Sequence, residues 1–207
     1  SVDDIDGIVI TAGTALIAGN IVKINSSFSS YGTNRRGIYA TGSTYARVFN
    51  NTIDTAGGSG GHNSGQYGIL AYGDVSGNMV INLRGINYGY RAIAGTGIEN
   101  NLCYNNWSNT CGNNAIILDP LLVDSIDYQL GTGSPAIDSG LLSPAFADLD
   151  RTRNDIGAHG GPWDIAQYDA QRDPLYFGPY VYPMFEANAG FVDGQLQIRA
   201  IGIARLR

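Results

Sequence analysis

The sequence predicts an all-β solenoid: a parallel β-helix of about five or six coils, with a C-terminal cap and an extended tail carrying a hairpin. Three observations predict it. Asparagines recur at Asn20, Asn51, Asn78 and Asn101, at intervals of 31, 27 and 23 residues (51−20, 78−51, 101−78). An apolar beat runs in step with them through Ile8, Ile38, Ile69, Ile93 and Ile116. The composition is the third: 29 glycines in 207 residues with only 14% charged, and no triplet period. Such usage fits many short strands joined by tight turns. Two phased beats at this period denote one structural unit stacked repeatedly, each copy burying a face on its neighbour.

Within each unit a Gly/Ala-Ile segment reads as a short strand with its isoleucine pointing inward. A turn then carries the asparagine, and a second short strand follows it, as in Ile21-Val22-Lys23, Thr52-Ile53-Asp54 and Met79-Val80-Ile81. Coiled in one direction, equivalent strands pair in parallel at about 4.8 Å per coil. Equivalent residues then stack, giving an isoleucine ladder inside and an asparagine ladder at one corner. Each ladder amide bonds the ones above and below, so Asn20, Asn51, Asn78 and Asn101 are assigned a structural role. The longer early intervals place protrusions at 25–36 and 56–66. The glycine-rich run 57–65 lacks the aspartates of a calcium-binding nonapeptide and reads as a flexible loop.

Cys103 and Cys111 share one coil as Cys-x7-Cys. A loop that short is readily closed by a disulfide, which would imply an oxidising compartment; the two also suit a buried stack of small hydrophobes. Two thiols without a nearby histidine do not complete a zinc site.

From Leu118 the pattern changes. Leu118-Asp119-Pro120-Leu121-Leu122-Val123-Asp124 leads to Asp127-Tyr128-Gln129-Leu130 and then to Gly133-Ser134-Pro135-Ala136-Ile137-Asp138-Ser139-Gly140. Asp148-Leu149-Asp150 and Asp155-Ile156-Gly157-Ala158 follow. In order and spacing this run, 118–163, resembles the C-terminal end of secreted right-handed parallel β-helix proteins of the pectate-lyase-like superfamily. Arg151 after Asp150, and His159-Gly160, depart from the usual pattern. The resemblance implies a right-handed coil whose last turns are closed by this segment. It also implies that chemistry, where present, sits on a strand-lined groove and its flanking protrusions. The domain organisation expected is 1–163, helix and cap, then 164–207, a Pro- and Tyr-rich extended tail. In that tail Asp193-Gly194 lies between apolar runs as a hairpin turn and offers attachment to a partner subunit.

A net charge of −6 with a single lysine, Lys23, excludes the basic stripe that nucleic-acid binding needs. No apolar run is long enough to span a bilayer. No signal-peptide pattern is present and Ser1 falls where a strand is about to begin, which reads as a mature or trimmed chain missing N-terminal coils.

A lyase needs a basic residue near the α-proton, and the candidates are Lys23, Arg35, Arg36, Arg47, Arg84 and Arg91. Ladder register would set Lys23 beside Asp54, which reads most simply as a solvated ion pair. Inverting hydrolysis needs close carboxylates, and Asp54, Asp74 and Glu99 look scattered over separate coils. Asp148, Asp150 and Asp155 offer hard oxygen ligands to a Ca2+ ion, although Arg151 and Arg153 are interleaved and could neutralise them instead. Tyr39, Tyr67, Tyr72, Tyr88, Tyr90 and Trp107 recur along the coils and suit sugar stacking, a protein interface, or cover for glycine-rich backbone.

The sequence therefore predicts a non-catalytic module at a secreted, cell-surface or particle-surface location. It would bind polysaccharide or act as a structural subunit, in a homo-oligomer or through its tail. The alternative is the C-terminal portion of an extracellular polysaccharide lyase or glycoside hydrolase.

Overall fold

Twelve short strands wind as four three-stranded coils. They are β1 (Ile5–Ile10), β2 (Thr14–Ala18) and β3 (Ile21–Lys23); β4 (Arg35–Ala40), β5 (Tyr45–Phe49) and β6 (Thr52–Asp54). The next two coils are β7 (Tyr67–Ala71), β8 (Gly73–Ser76) and β9 (Met79–Ile81), then β10 (Arg91–Gly95), β11 (Ile98–Glu99) and β12 (Leu102–Tyr104). A computed structural model describes residues 5–24, 35–42, 45–55, 66–83, 91–164, 180–183, 191–192, 195–196 and 200–203. Every first strand pairs with first strands, and likewise for second and third, all in parallel. The result is three four-stranded parallel sheets, β1-β4-β7-β10, β2-β5-β8-β11 and β3-β6-β9-β12, here called the first, second and third sheets. The chain is an all-β parallel solenoid.

Register supplies the inner columns. Ile8 aligns with Ile38, Ile69 and Ile93; Ile17 with Val48, Val75 and Ile98; Val22 with Ile53, Val80 and Cys103. Ile38, Ile69, Ile93, Val48, Val75, Ile53, Val80 and Cys103 are all fully buried. The coil is narrow where the first sheet approaches the third. A Cβ added at Gly37 would lie 2.5 Å from an Ile53 methyl, and one at Gly68 would lie 2.3 Å from a Val80 methyl. In the fourth coil this position is Ala92, and the opposing strand there carries Cys103 in place of Val or Ile. Cys103 and Cys111 are joined by a disulfide, with Cα atoms 6.1 Å apart, inside this core.

At the corner between the second and third sheets, Asn20 Nδ2 donates to Asn51 Oδ1 at 2.9 Å, Asn51 to Asn78 at 2.9 Å, and Asn78 to Asn101 at 3.1 Å. Each accepting oxygen also takes the backbone N–H of the preceding ladder asparagine. The residue before each ladder position turns the chain through left-handed backbone: Gly19 (φ 65°), Asn50 (51°), Gly77 (68°) and Asn100 (51°). Glycine and asparagine are the residues that adopt this conformation cheaply, which explains why the ladder is read as Gly-Asn or Asn-Asn.

Beyond β12, bridges Glu99↔Asn113 and Leu102↔Ile116 lay a fifth rung. The following segment does more than close the last coil. It folds back along the outer face of the third sheet as far as the first coil, where Ile21 packs against it and Lys23 Nζ donates to the Ser125 carbonyl. Tyr128, Ala136 and Ile156 form a second core with Met79, Ile81 and Leu102. Ala158 N–H donates to Thr52 Oγ1 at 2.9 Å, and Asn154 and Asn50 exchange reciprocal amide bonds of 3.1 Å. Phe146 and Trp163, in short 3-10 turns, pack on Phe49 with ring centroids 4.8 and 6.0 Å away.

The chain divides into two compact units, Ser1–Ile165 and Ala166–Arg207. Within the second, β13 (Tyr180–Pro183) pairs antiparallel with β16 (Ala200–Ile203), and β14 (Phe191–Val192) with β15 (Gln195–Leu196). The expected turn at Asp193-Gly194 and most of the Pro/Tyr run lie outside the described residues.

Candidate functional site

The outer face of the second sheet is covered only in part, where Phe146 and Trp163 pack on Phe49. Its outward columns are Leu16–Arg47–Asp74–Gly97 and Ala18–Phe49–Ser76–Glu99, the latter continued by the bridge to Asn113. Against them stand Leu141 and Phe146 of the folded-back segment, and together they enclose a cleft of about 490 Å³. Its polar lining is Arg47, Asp74, Ser76, Glu99 and Asn113; its apolar wall is Phe49, Ile98, Leu141 and Phe146. Gly97, also in the lining, lets its turn lie close against the backbone of the coil below. It sits at φ 59°, and a Cβ there would lie 2.0 Å from the Gly73 carbonyl oxygen.

The charges are placed by the coil. Arg47 and Asp74 are register partners, and the Arg47 guanidinium also lies 5.3 Å from the Phe49 ring centre. Asp74 accepts a hydrogen bond from the Tyr45 hydroxyl, which raises that phenol's pKa, with burial and the carboxylate's charge adding to the effect. Tyr45 and Tyr72 precede the register pair Ala46 and Gly73, so the two rings leave neighbouring coils at the edge of the cleft, each about half exposed. Among the described residues the Ser76 hydroxyl has no hydrogen-bond partner, although the residue is only 3% exposed. Glutamate 99 is exposed, and no hydrogen bond or ion pair engages its carboxylate among the described residues.

The aromatics singled out from sequence do not form one platform. Tyr39 lies on the first sheet beneath the Arg36 guanidinium, 3.9 Å from its ring centre, and Arg36 grips Asp6 through two bonds of 2.5 and 2.7 Å. Tyr67 is half-buried on the same sheet, Trp107 stands exposed on the turn after β12, and Tyr72 is half-exposed just before β8, the strand that carries Asp74 and Ser76. Tyr88, Tyr90 and Arg84 lie outside the described residues.

Asp148, Asp150 and Asp155, the residues expected to offer oxygens to a Ca2+ ion, all accept hydrogen bonds from the chain itself. Asp148 accepts from the Gly161 and Asp155 backbone N–H groups, Asp155 from Asp138 N–H, and Asp150 from the N–H and hydroxyl of Thr152. Among the described residues no three His, Cys, Asp or Glu side chains are placed to hold a metal ion. Burial pushes the Asp148 carboxyl up to about 7, against the two N–H bonds that favour its charged form. Burial also raises Asp155.

Lys23 and Asp54 are register partners, yet Asp54 is not solvated. It is 2% exposed, accepts from the Tyr128 hydroxyl at 2.6 Å and from Asn82 Nδ2 at 2.9 Å, while Lys23 Nζ donates to the Ser125 carbonyl. Burial and the Asp54 bond drive the Tyr128 phenol pKa upward. No helix among the described residues is long and apolar enough to cross a membrane.

Compared with family models, curated proteins and solved structures, the chain gives no match. The site must therefore be argued from its own geometry.

Proposed function

We propose that this chain is a non-catalytic, polysaccharide-binding β-helix module that works outside the cell or on a particle surface. The observation that carries the reading is the open cleft on the second sheet. It offers hydrogen-bond donors and acceptors from Arg47, Asp74, Ser76, Glu99 and Asn113, beside two half-exposed tyrosine rings. Sugars present hydroxyls in the ring plane and apolar C–H faces above it, and a polar trough edged by amphipathic rings answers both. The Cys103–Cys111 disulfide supports an oxidising compartment, and the resemblance of 118–163 to the secreted pectate-lyase-like superfamily supports the same location.

Affinity electrophoresis against a panel of soluble polysaccharides tests the proposal. The Tyr45→Ala/Tyr72→Ala double variant should weaken retention by about fivefold to tenfold while leaving the melting temperature within a few degrees. Retention by none of the panel overturns the reading.

A second reading is the C-terminal portion of an extracellular polysaccharide lyase or glycoside hydrolase. What favours it is that Asp74 and Glu99 share one cleft, since hydrolysis of a glycosidic bond needs two carboxylates. Release of reducing ends or unsaturated uronates by this chain, abolished in Asp74→Asn, would replace the first reading with this one.

A further inference from the structure

We infer that the cleft takes a polysaccharide bearing free amines, a 2-amino sugar polymer, in preference to a uronate polymer. The inference rests on the polysaccharide-binding reading and narrows its ligand class.

Three charged groups line the cleft, and they are not equivalent. Arg47 is the register partner of Asp74, and its guanidinium lies 5.3 Å from the Phe49 ring centre. Asp74 is answered in part by the Tyr45 hydroxyl. Glu99 has no such partner among the described residues, so the cleft presents one unmatched negative charge. Directly beneath it in the column lies Ser76, its register partner, whose nearly buried hydroxyl also has no partner among the described residues.

These two open groups sit one rung apart, about 4.8 Å along the sheet. A 2-amino sugar carries an ammonium next to a hydroxyl. The ammonium would donate to Glu99 and the hydroxyl would exchange a hydrogen bond with Ser76, which otherwise stays desolvated without compensation. A uronate would instead bring its carboxylate to a cleft that holds two carboxylates against a single cation, Arg47. Like charges at that range are unfavourable.

Calorimetric titration of the full chain at pH 6 and low salt tests this with three hexamers: glucosamine, N-acetylglucosamine and galacturonate. The glucosamine hexamer should bind roughly tenfold more tightly than its acetylated counterpart, as one charge-assisted hydrogen bond allows. Glu99→Gln should remove most of that difference, because it weakens the free-amine hexamer far more than the acetylated one. Ser76→Ala should weaken both amino-sugar hexamers alike. Equal affinity for the free and acetylated forms, or tightest binding of galacturonate, overturns the amine preference and leaves polysaccharide binding standing. Binding of none of the three, together with no retention on the polysaccharide panel, overturns both.

Discussion

The second and third sheets are built by the same coils, at the same rise, from strands of similar length, and differ in what lies outside them. Outward residues of the third sheet, Thr52, Asp54, Met79 and Leu102, are buried beneath the folded-back segment, and even the carboxylate there is tied to Tyr128 and Asn82. Outward residues of the second sheet include Arg47, Asp74 and Glu99, all exposed. A solenoid offers several equivalent flanks, and the route of the C-terminal segment decides which becomes core. The flank left open is the one that carries mixed charge and unpartnered polar groups. Scaffold and site are therefore separated by face, at a distance of one corner.

The largest effects should come from breaking the covered face. Ile156→Ala or Leu102→Ala removes a fully buried side chain from the second core and should destabilise the protein by about 2–5 kcal/mol in chemical denaturation. A loss below about 0.5 kcal/mol would mean that the segment does not cover the third sheet in solution. Next comes Tyr128→Phe, which strips Asp54 of its hydroxyl donor in a buried setting and should cost about 1–3 kcal/mol.

A smaller effect is tied to pH. Asp148 is raised from 3.8 to about 7 in the fold, so its contribution is fully present below about pH 3.8 and is lost as pH rises through 7. The histidine at position 159 acts in the same direction. Burial alone would lower its pKa, but the Asp164 carboxylate and the Asp127 carbonyl outweigh it and raise it. Its contribution is likewise lost as pH climbs through the raised value. Melting temperature should therefore decline across this window, and Asp148→Asn should flatten part of the slope; an unchanged slope would show that the carboxyl is not held in this environment. The smallest effects belong to the open face. Arg47→Ala and Glu99→Gln should each shift stability by no more than about 0.5 kcal/mol, because exposed charges contribute little. A larger loss would make the cleft part of the scaffold.

Much of the scaffold was legible in the sequence because it is local and periodic. The asparagine beat gives the ladder, and the Gly or Asn before each beat marks the left-handed corner residue. The fold-back was not legible in that way. Thr52 and Asp54 look like ordinary outward residues, and Asp54 suggested a solvated partner for Lys23, because burial by a segment some 75 positions downstream leaves no local mark (|i−j| is 74 for Tyr128 to Asp54). The cleft was also missed, although a usable signal existed. Counting carboxylates by position scattered Asp74 and Glu99. Stepping by the ladder intervals would have put them in neighbouring columns of one face: 27 residues from Arg47 to Asp74 (74−47), as from Asn51 to Asn78, and 23 from Ser76 to Glu99 (99−76), as from Asn78 to Asn101.

The separation of faces is tested most directly by amide hydrogen exchange with and without bound glucosamine hexamer. Protection should rise in 45–49, 72–76 and 97–99, the strands and turns of the open second sheet, and in 141–146, which walls the cleft, while 52–54, 79–81 and 128–138 stay unchanged. Protection confined to the third sheet and its covering segment, with the open cleft unaltered, would contradict the account.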